Sequence, residues 1–333
     1  MVLKRYYEID LLKGIGIILM IMGHVPFSEE ITKAIYVFHM PLFFIASGFL
    51  YKRKNDFNTA FVKWLKRLIL PYFIFATLGY VLWNIEIRPN NFSQLTQPLK
   101  SIFYINTDGM PINGAVWYLT ATFVIFLLYW IVDNFFKNEF LKMITVIILT
   151  TIGLFLGKLK IVLPFSGAVS LVGVGFFYSG ITLRKFYPRF ISCLRERRLS
   201  RYITLILVIC MFFLGYRNGH ISMRTGDYGK NGFIFFIAAM IISYILLFVS
   251  KFLVDVFQNN ILLKWIEKVG RNSIVFLGLN ELVINVIRSV LTKLNVSANF
   301  YVILTFILSI LVISILIEIM KKSNMMVKIF ALS

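Results

Sequence analysis

Charge is scarce in this chain. Asp, Glu, Lys and Arg make up 15% of 333 residues, against about 25% in an ordinary soluble domain. So few charges cannot coat a globular surface, which excludes a soluble fold. The 59% hydrophobic content and the mean hydropathy of +0.81 place most of the chain in lipid. Cysteine is scarcer still. Cys193 lies in a basic loop and Cys210 in an apolar run, and with only these two a disulfide scaffold and a cysteine metal cluster are both excluded. No internal repeat, low-complexity linker or cleavable leader is visible. The first apolar run, Ile9 to Phe27, is interrupted by Asp10, Lys13 and His24 and lacks a small-residue cleavage site. Residues 1–333 therefore read as a single membrane domain without an attached soluble catalytic module.

What the chain does have is long apolar runs. A spanning helix needs about 20 mostly apolar residues, and about ten segments qualify, near 9–27, 31–51, 68–86, 114–135, 140–158, 166–184, 202–217, 232–250, 272–291 and 298–320. The expected fold is an all-α, polytopic membrane protein. The ninth run is the weakest, because it carries Asn280, Glu281 and Asn285. Thirty-five basic residues against fifteen acidic ones give a formal +20, which in a soluble protein would suggest nucleic acid. Here the bases divide by side. With the N-terminus taken as cytoplasmic, twenty-four fall on that side and ten on the other, the asymmetry of the positive-inside rule, so both termini are expected in the cytoplasm. The basic stretch Arg184–Arg201 fits an anchor to anionic lipid better than a nucleic-acid site. Membrane lipid is thus an expected partner and nucleic acid is not.

Ionisable residues inside a span cost about 2.5–3.5 kcal/mol each on insertion scales and so call for a partner or a function. The first run holds three, Asp10, Lys13 and His24. The eleven steps from Lys13 to His24, at about 100° each, return to within about 20° of one face and rise roughly 16 Å. One stripe thus carries a cation near the cytoplasmic rim and an imidazole well across the membrane. That arrangement suits a basic group holding an anionic donor while a histidine accepts a proton deeper in. The plainer reading is that Asp10 and Lys13 neutralise each other and His24 sits at headgroup level. The second run, Phe38-His39-Met40-Pro41-Leu42-Phe43-Phe44, adds another histidine, followed by a proline that frees a backbone carbonyl.

These residues carry a resemblance. Asp10-x-x-Lys13-Gly14 with Gly23-His24, then Phe38-His39-Met40-Pro41-Leu42-Phe43-Phe44-x-x-Ser47-Gly48, resembles the start of the acyltransferase 3 family of integral membrane O-acyltransferases, in particular members similar to fucose 4-O-acetylase and related polysaccharide O-acetyltransferases. Lys66-Arg67-Leu-Ile-Leu-Pro71-Tyr72, Trp117-Tyr118-Leu119 and Gly270-Arg271-Asn272-Ser273 resemble later motifs of the same family.

The resemblance implies transfer of an acyl group, usually acetyl, from cytoplasmic acyl-CoA to a sugar hydroxyl on the outer side, in a bacterial plasma (inner) membrane. The acceptor would be a glycan of the envelope, an exported polysaccharide or a lipid-linked sugar. Acetyl-CoA is the implied donor and no metal is expected. Lys13, Lys63, Lys66 and Arg67 would hold the CoA phosphates. His24 would be the general base or the transient acyl carrier, Asp10 would orient Lys13, and His39 would line the acyl passage. Two departures stand out. The usual pair of arginines three apart is replaced by Lys63 and Lys66 followed by Arg67, and Asn280 stands where some members have histidine, so no proton can be taken there.

Other features admit plainer readings. Gly173-x-Gly175-x-x-x-x-Gly180 fails the dinucleotide pattern and reads as a tightly packed helix. Trp117 and Tyr118 fit an interfacial belt as well as they fit sugar stacking, and Asp108, Asn113, His220 and Asp227 read as solvated residues of outer loops. The rival class is an exporter or flippase for a polysaccharide or lipid-linked glycan. Such proteins show broken helices in two corresponding halves, whereas here the ionisable stripe is confined to the first two runs.

Overall fold

The computed structural model describes residues 5–25, 27–53, 56–87, 91–103, 113–196 and 198–332, and Asp108 lies outside them. Helices account for most of the described chain: α1 (Tyr7–His24), α2 (Glu29–Tyr36), α3 (His39–Phe49), α4 (Phe57–Trp64), α5 (Leu70–Ile87), α6 (Phe92–Phe103), α7 (Trp117–Phe135), α8 (Glu139–Lys158), α9 (Gly167–Glu196), α10 (Arg198–Arg217), α11 (Gly232–Val256), α12 (Ile261–Arg271), α13 (Ser273–Lys293), α14 (Ala298–Met320) and α15 (Asn324–Phe330).

Among the described residues, eight helical segments are long and apolar enough to cross a membrane: Glu29–Phe49, Phe57–Glu86, Gly114–Phe135, Glu139–Lys158, Pro164–Arg189, Gly232–Val256, Ser273–Lys293 and Phe300–Met320. The other two expected runs correspond to α1 and α10. Helix α1 carries Glu8, Asp10 and Lys13 within 18 residues, too much charge for a lipid-facing span. It is sheathed by α3, α11, α12 and α13 instead of by lipid.

Two expected spans are locally broken. The second divides into α2 and α3 at Val37–Phe38, where Phe38 leaves the helical region (φ −137°). Pro41 lies in the first turn of α3 and has no N–H to donate to Val37, so the α-helix cannot run through. The third contains a π turn, Leu65–Ile69, in which the Leu70 N–H reaches back to the Leu65 carbonyl. Pro71 follows at once, and the widened turn relieves the clash its ring would make with the carbonyl of Arg67.

Glycine sets the closest helix contacts. A Cβ on Gly48 would fall 1.8 Å from the Phe177 carbonyl oxygen, and one on Gly180 would fall 2.1 Å from that of Ile45, so α3 and α9 touch backbone to backbone. The pair α1 and α12 meets in the same way through Gly14 and Gly270. Around these contacts the core is largely aromatic, with Phe44, Phe49, Tyr72, Phe75, Phe176, Phe177, Phe235 and Phe276 all fully buried. Helix α12, absent from the expected spans, is capped by Asn260, whose side chain accepts from the N–H groups of Leu262 and Leu263 at 2.9 and 3.1 Å.

Candidate active site

His24 ends α1, and its imidazole is engaged at both nitrogens. Nδ1 lies 2.8 Å from the Met20 carbonyl oxygen, to which it donates, and Nε2 lies 3.1 Å from Glu281 Oε1 on α13. The carbonyl fixes the proton on Nδ1. A single further proton then lies between Nε2 and the carboxyl, giving either imidazolium with carboxylate or neutral imidazole with carboxylic acid. The other carboxyl oxygen, Oε2, accepts the backbone N–H of Gly114. Arg288 donates to the His24 carbonyl at 2.9 Å, tying the end of α1 to α13 a second time.

Gly114 is held in place from below. The Asn113 side chain, 0% exposed, donates to the carbonyls of Phe75 (3.2 Å) and Gly278 (3.0 Å) and pins the turn Gly114–Val116 between α5 and α13. Asn113 is thus a buried strut and not the solvated loop residue expected. A Cβ on Gly114 would fall 2.1 Å from Arg224 Nη1 and 3.4 Å from Glu281 Oε2, so the guanidinium and the carboxylate lie side by side at this turn.

His39 faces the same space. Its Nδ1 donates to the Ile35 carbonyl at 3.1 Å, and Nε2 has no hydrogen-bond partner among the described residues, which leaves a lone pair open. The Tyr36 ring sits between the histidines, its centroid 4.9 Å from that of His39 and 6.5 Å from that of His24. His24, His39, Glu281, Arg224, Tyr36 and Trp117 all line one chamber of about 550 Å³.

A second chamber, of about 530 Å³, lies behind the first. Lys13, Lys52, Lys63 and Arg67 line it, together with Ser47 and Tyr118, whose hydroxyls are 3.5 Å apart. The π turn swings Arg67 into this wall, while Lys66, in the same turn, is exposed and does not line it. Leu277, 2% exposed, walls both chambers. Side chains alternate along the flanking elements: His39 and Met40 face the histidine chamber and Phe43 and Ser47 the basic one, as Trp117 faces the first and Tyr118 the second.

The structure therefore groups the expected site residues into two sets, His24 with His39 and Lys13 with Lys63 and Arg67. Asp10 joins neither wall. Its carboxylate pairs with Arg5 at 2.8 Å and lies 3.8 Å from Lys13 Nζ. Reasoning from the sequence missed Glu281, Arg224, Tyr36 and Lys52. Glu281 carried a visible signal, an ionisable residue within an apolar run, the same signal that singled out α1. No three His, Cys, Asp or Glu side chains among the described residues are placed to hold a metal ion.

Comparison with known proteins bears on this geometry. Nodulation protein NolL of Mesorhizobium japonicum is 28% identical over 147 residues, a match that covers 40% of this chain and 37% of that protein's length. No solved structure matches the chain. Residues 6–319 match the family described as an acyltransferase domain, which takes in α1 through nearly all of α14. That match spans nearly the whole chain, and the chain belongs to the acyltransferase 3 family.

Proposed function

We propose that this protein transfers an acetyl group from cytoplasmic acetyl-CoA to a hydroxyl of a sugar in an envelope or exported polysaccharide, or in its lipid-linked precursor. It does so as a single unit in a bacterial plasma membrane with both termini cytoplasmic. The observation that carries this reading is the pair of chambers, one basic and one lined by two histidines, that share Leu277 in their walls. Lys13, Lys63 and Arg67, joined by Lys52, suit the phosphates of CoA, which basic side chains hold by charge-assisted hydrogen bonds. The thioester then reaches the partition, and the acceptor hydroxyl meets it from the histidine side.

The hydroxyl oxygen attacks the thioester carbon, the new C–O bond forms and the C–S bond breaks. The hydroxyl proton passes to His24 Nε2 while Glu281 holds the proton the pair shares, which leaves imidazolium beside a carboxylic acid, and the imidazolium then gives that proton up to the departing thiolate. His39 Nε2 offers a second open lone pair to the chamber, placed to accept a hydrogen bond from the acceptor, and the Arg224 guanidinium opposes the negative charge that gathers on the carbonyl oxygen.

The deciding experiment is ester analysis of surface glycan, by NMR and mass spectrometry, from cells with and without the gene. Loss of an O-acetyl group that the wild-type gene restores is the expected result. Unchanged esters with glycan retained inside the cell would overturn the reading in favour of export. Two variants probe the chambers separately. Arg67→Ala is expected to raise KM for acetyl-CoA about tenfold, with KM for the acceptor unchanged, since it removes a charged contact to phosphate alone. Leu277→Trp, which fills the partition, is expected to abolish transfer while acetyl-CoA binding, read by equilibrium titration, persists.

A further inference from the structure

A third cavity, of about 830 Å³, plays no part in the chemistry above. It lies between the end of α8, the start of α11 and the loop 218–231 that joins α10 to α11.

Its walls are basic on the side of the protein where bases are few. Lys158, Lys160 and Lys230 line it, and none has an ion-pair partner among the described residues. These three belong to the ten bases that the positive-inside rule leaves unexplained. The cavity's one carboxylate, Asp227, is already engaged, 3.2 Å from His220 Nδ1 and accepting the Gly229 N–H at 3.0 Å. Tyr228, 5% exposed, is also in the wall, and its hydroxyl has no partner among the described residues.

The cavity is also pre-formed. The loop turns at Gly226 (φ +72°) and Gly229 (φ +74°), a backbone conformation that favours glycine. Asn218 stitches its two ends, donating to the Tyr228 carbonyl at 2.8 Å and accepting the Asn231 N–H at 2.8 Å. Gly157 on α8 lets the loop seat directly on the helix, since a Cβ there would fall 2.5 Å from the Gly226 carbonyl oxygen. Finally, the cavity adjoins the histidine chamber. Thr225 walls both, and the turn Met223–Thr225 presents Arg224 to the chamber.

We infer that this cavity is a second subsite for the acceptor, holding an anionic substituent, a carboxylate or phosphate of the glycan, while the hydroxyl to be acylated lies beside His24. The inference rests on the acyl-transfer reading and deepens it: the preferred acceptor is an acidic glycan. A phospholipid headgroup carries similar charge, but continuity with the histidine chamber through Thr225 favours the substrate.

The test uses the full chain in phosphatidylcholine nanodiscs, with saturating coenzyme A to occupy the other basic chamber, titrated with galactose, galacturonate and galactose 6-phosphate. Both anionic sugars are expected to bind about tenfold tighter than galactose, an advantage that weakens with salt. The triple variant Lys158→Gln, Lys160→Gln, Lys230→Gln, altered only at exposed and unpaired side chains, is expected to lose that advantage, while Arg67→Ala keeps it. No anionic preference in the wild type, or its survival in the triple variant, would overturn the inference. So would displacement of the anionic sugars by phosphatidylglycerol nanodiscs together with normal glycan esters in cells carrying the triple variant, which would mark a headgroup site. An anionic preference that depends on the three lysines, in a protein whose deletion changes no glycan ester, would retire the acyl-transfer reading and leave the anion site standing.

Discussion

His24→Ala is expected to lower acyl-ester formation by about two to four orders of magnitude at unchanged protein level, the usual scale of a lost general base. The geometry makes the substitution informative because His24 does not act alone. Its Nε2 shares a proton with Glu281 Oε1 at 3.1 Å, so removing the imidazole leaves a carboxylate held only by Gly114 and the neighbouring Arg224. Glu281→Gln keeps the shape and a hydrogen bond but cannot exchange the shared proton, and an intermediate loss is expected from it. The measurement is transfer of radiolabelled acetyl from acetyl-CoA to glycan in isolated membranes, with acetyl-CoA binding as the control for folding. Full activity in His24→Ala would sink the mechanism. Full activity in Glu281→Gln alone would reduce the carboxylate to a packing partner and leave His24 Nε2 to accept the proton without it.

Gly270→Val is expected to remove the folded protein from the membrane almost completely. A Cβ at this position would sit 1.8 Å from the Asp10 carbonyl oxygen and 2.6 Å from the Gly14 nitrogen, both backbone atoms that cannot step aside as a side chain would. Helix α12 would have to withdraw from α1, exposing the charged start of α1 that it shields. Withdrawal would also pull on Asn272 and Ser273, which follow α12 directly, and so disturb the wall of the basic chamber that Ser273 shares with Lys13. The check is fluorescence-detected size exclusion of tagged protein, where a monodisperse peak at wild-type level would show that the contact is dispensable. Gly167→Ala is the matched control, since its Cβ would meet only the Leu163 side chain, at 3.1 Å and beyond.

Eight of the ten expected spans were legible because lipid imposes a simple length rule, and among the described residues helical segments long and apolar enough to cross a membrane stand at those places. Less legible were features that depend on the neighbours of a helix. Helix α12 is too short and too polar to register as a span, and it is explained only once Gly14 and Gly270 are seen to meet. The break at Phe38 was foreshadowed by Pro41, but its result, two histidines on separate helices facing one chamber, requires the fold. Lys13 and His24 could be singled out as candidates from the sequence because both lie on one helix, and the structure places them in different chambers. Glu281 could not, since its partner is 257 positions away and its charge counted against the span that holds it. Arg224 and Asn113 lie in loops, where composition cannot separate a buried strut from a solvated tip.

The thin wall at Leu277 has an electrical consequence. If the two chambers open to opposite aqueous sides, as the acyl-transfer reading requires, the membrane voltage would fall chiefly across the wall that Leu277 helps to form and not across the full ~30 Å of hydrocarbon. A neutral acyl group would cross that wall without electrical work. A proton or a negatively charged intermediate would not, since each elementary charge moved through 100 mV carries about 2.3 kcal/mol. The energised state of the membrane would thereby act on the reaction at its narrowest point.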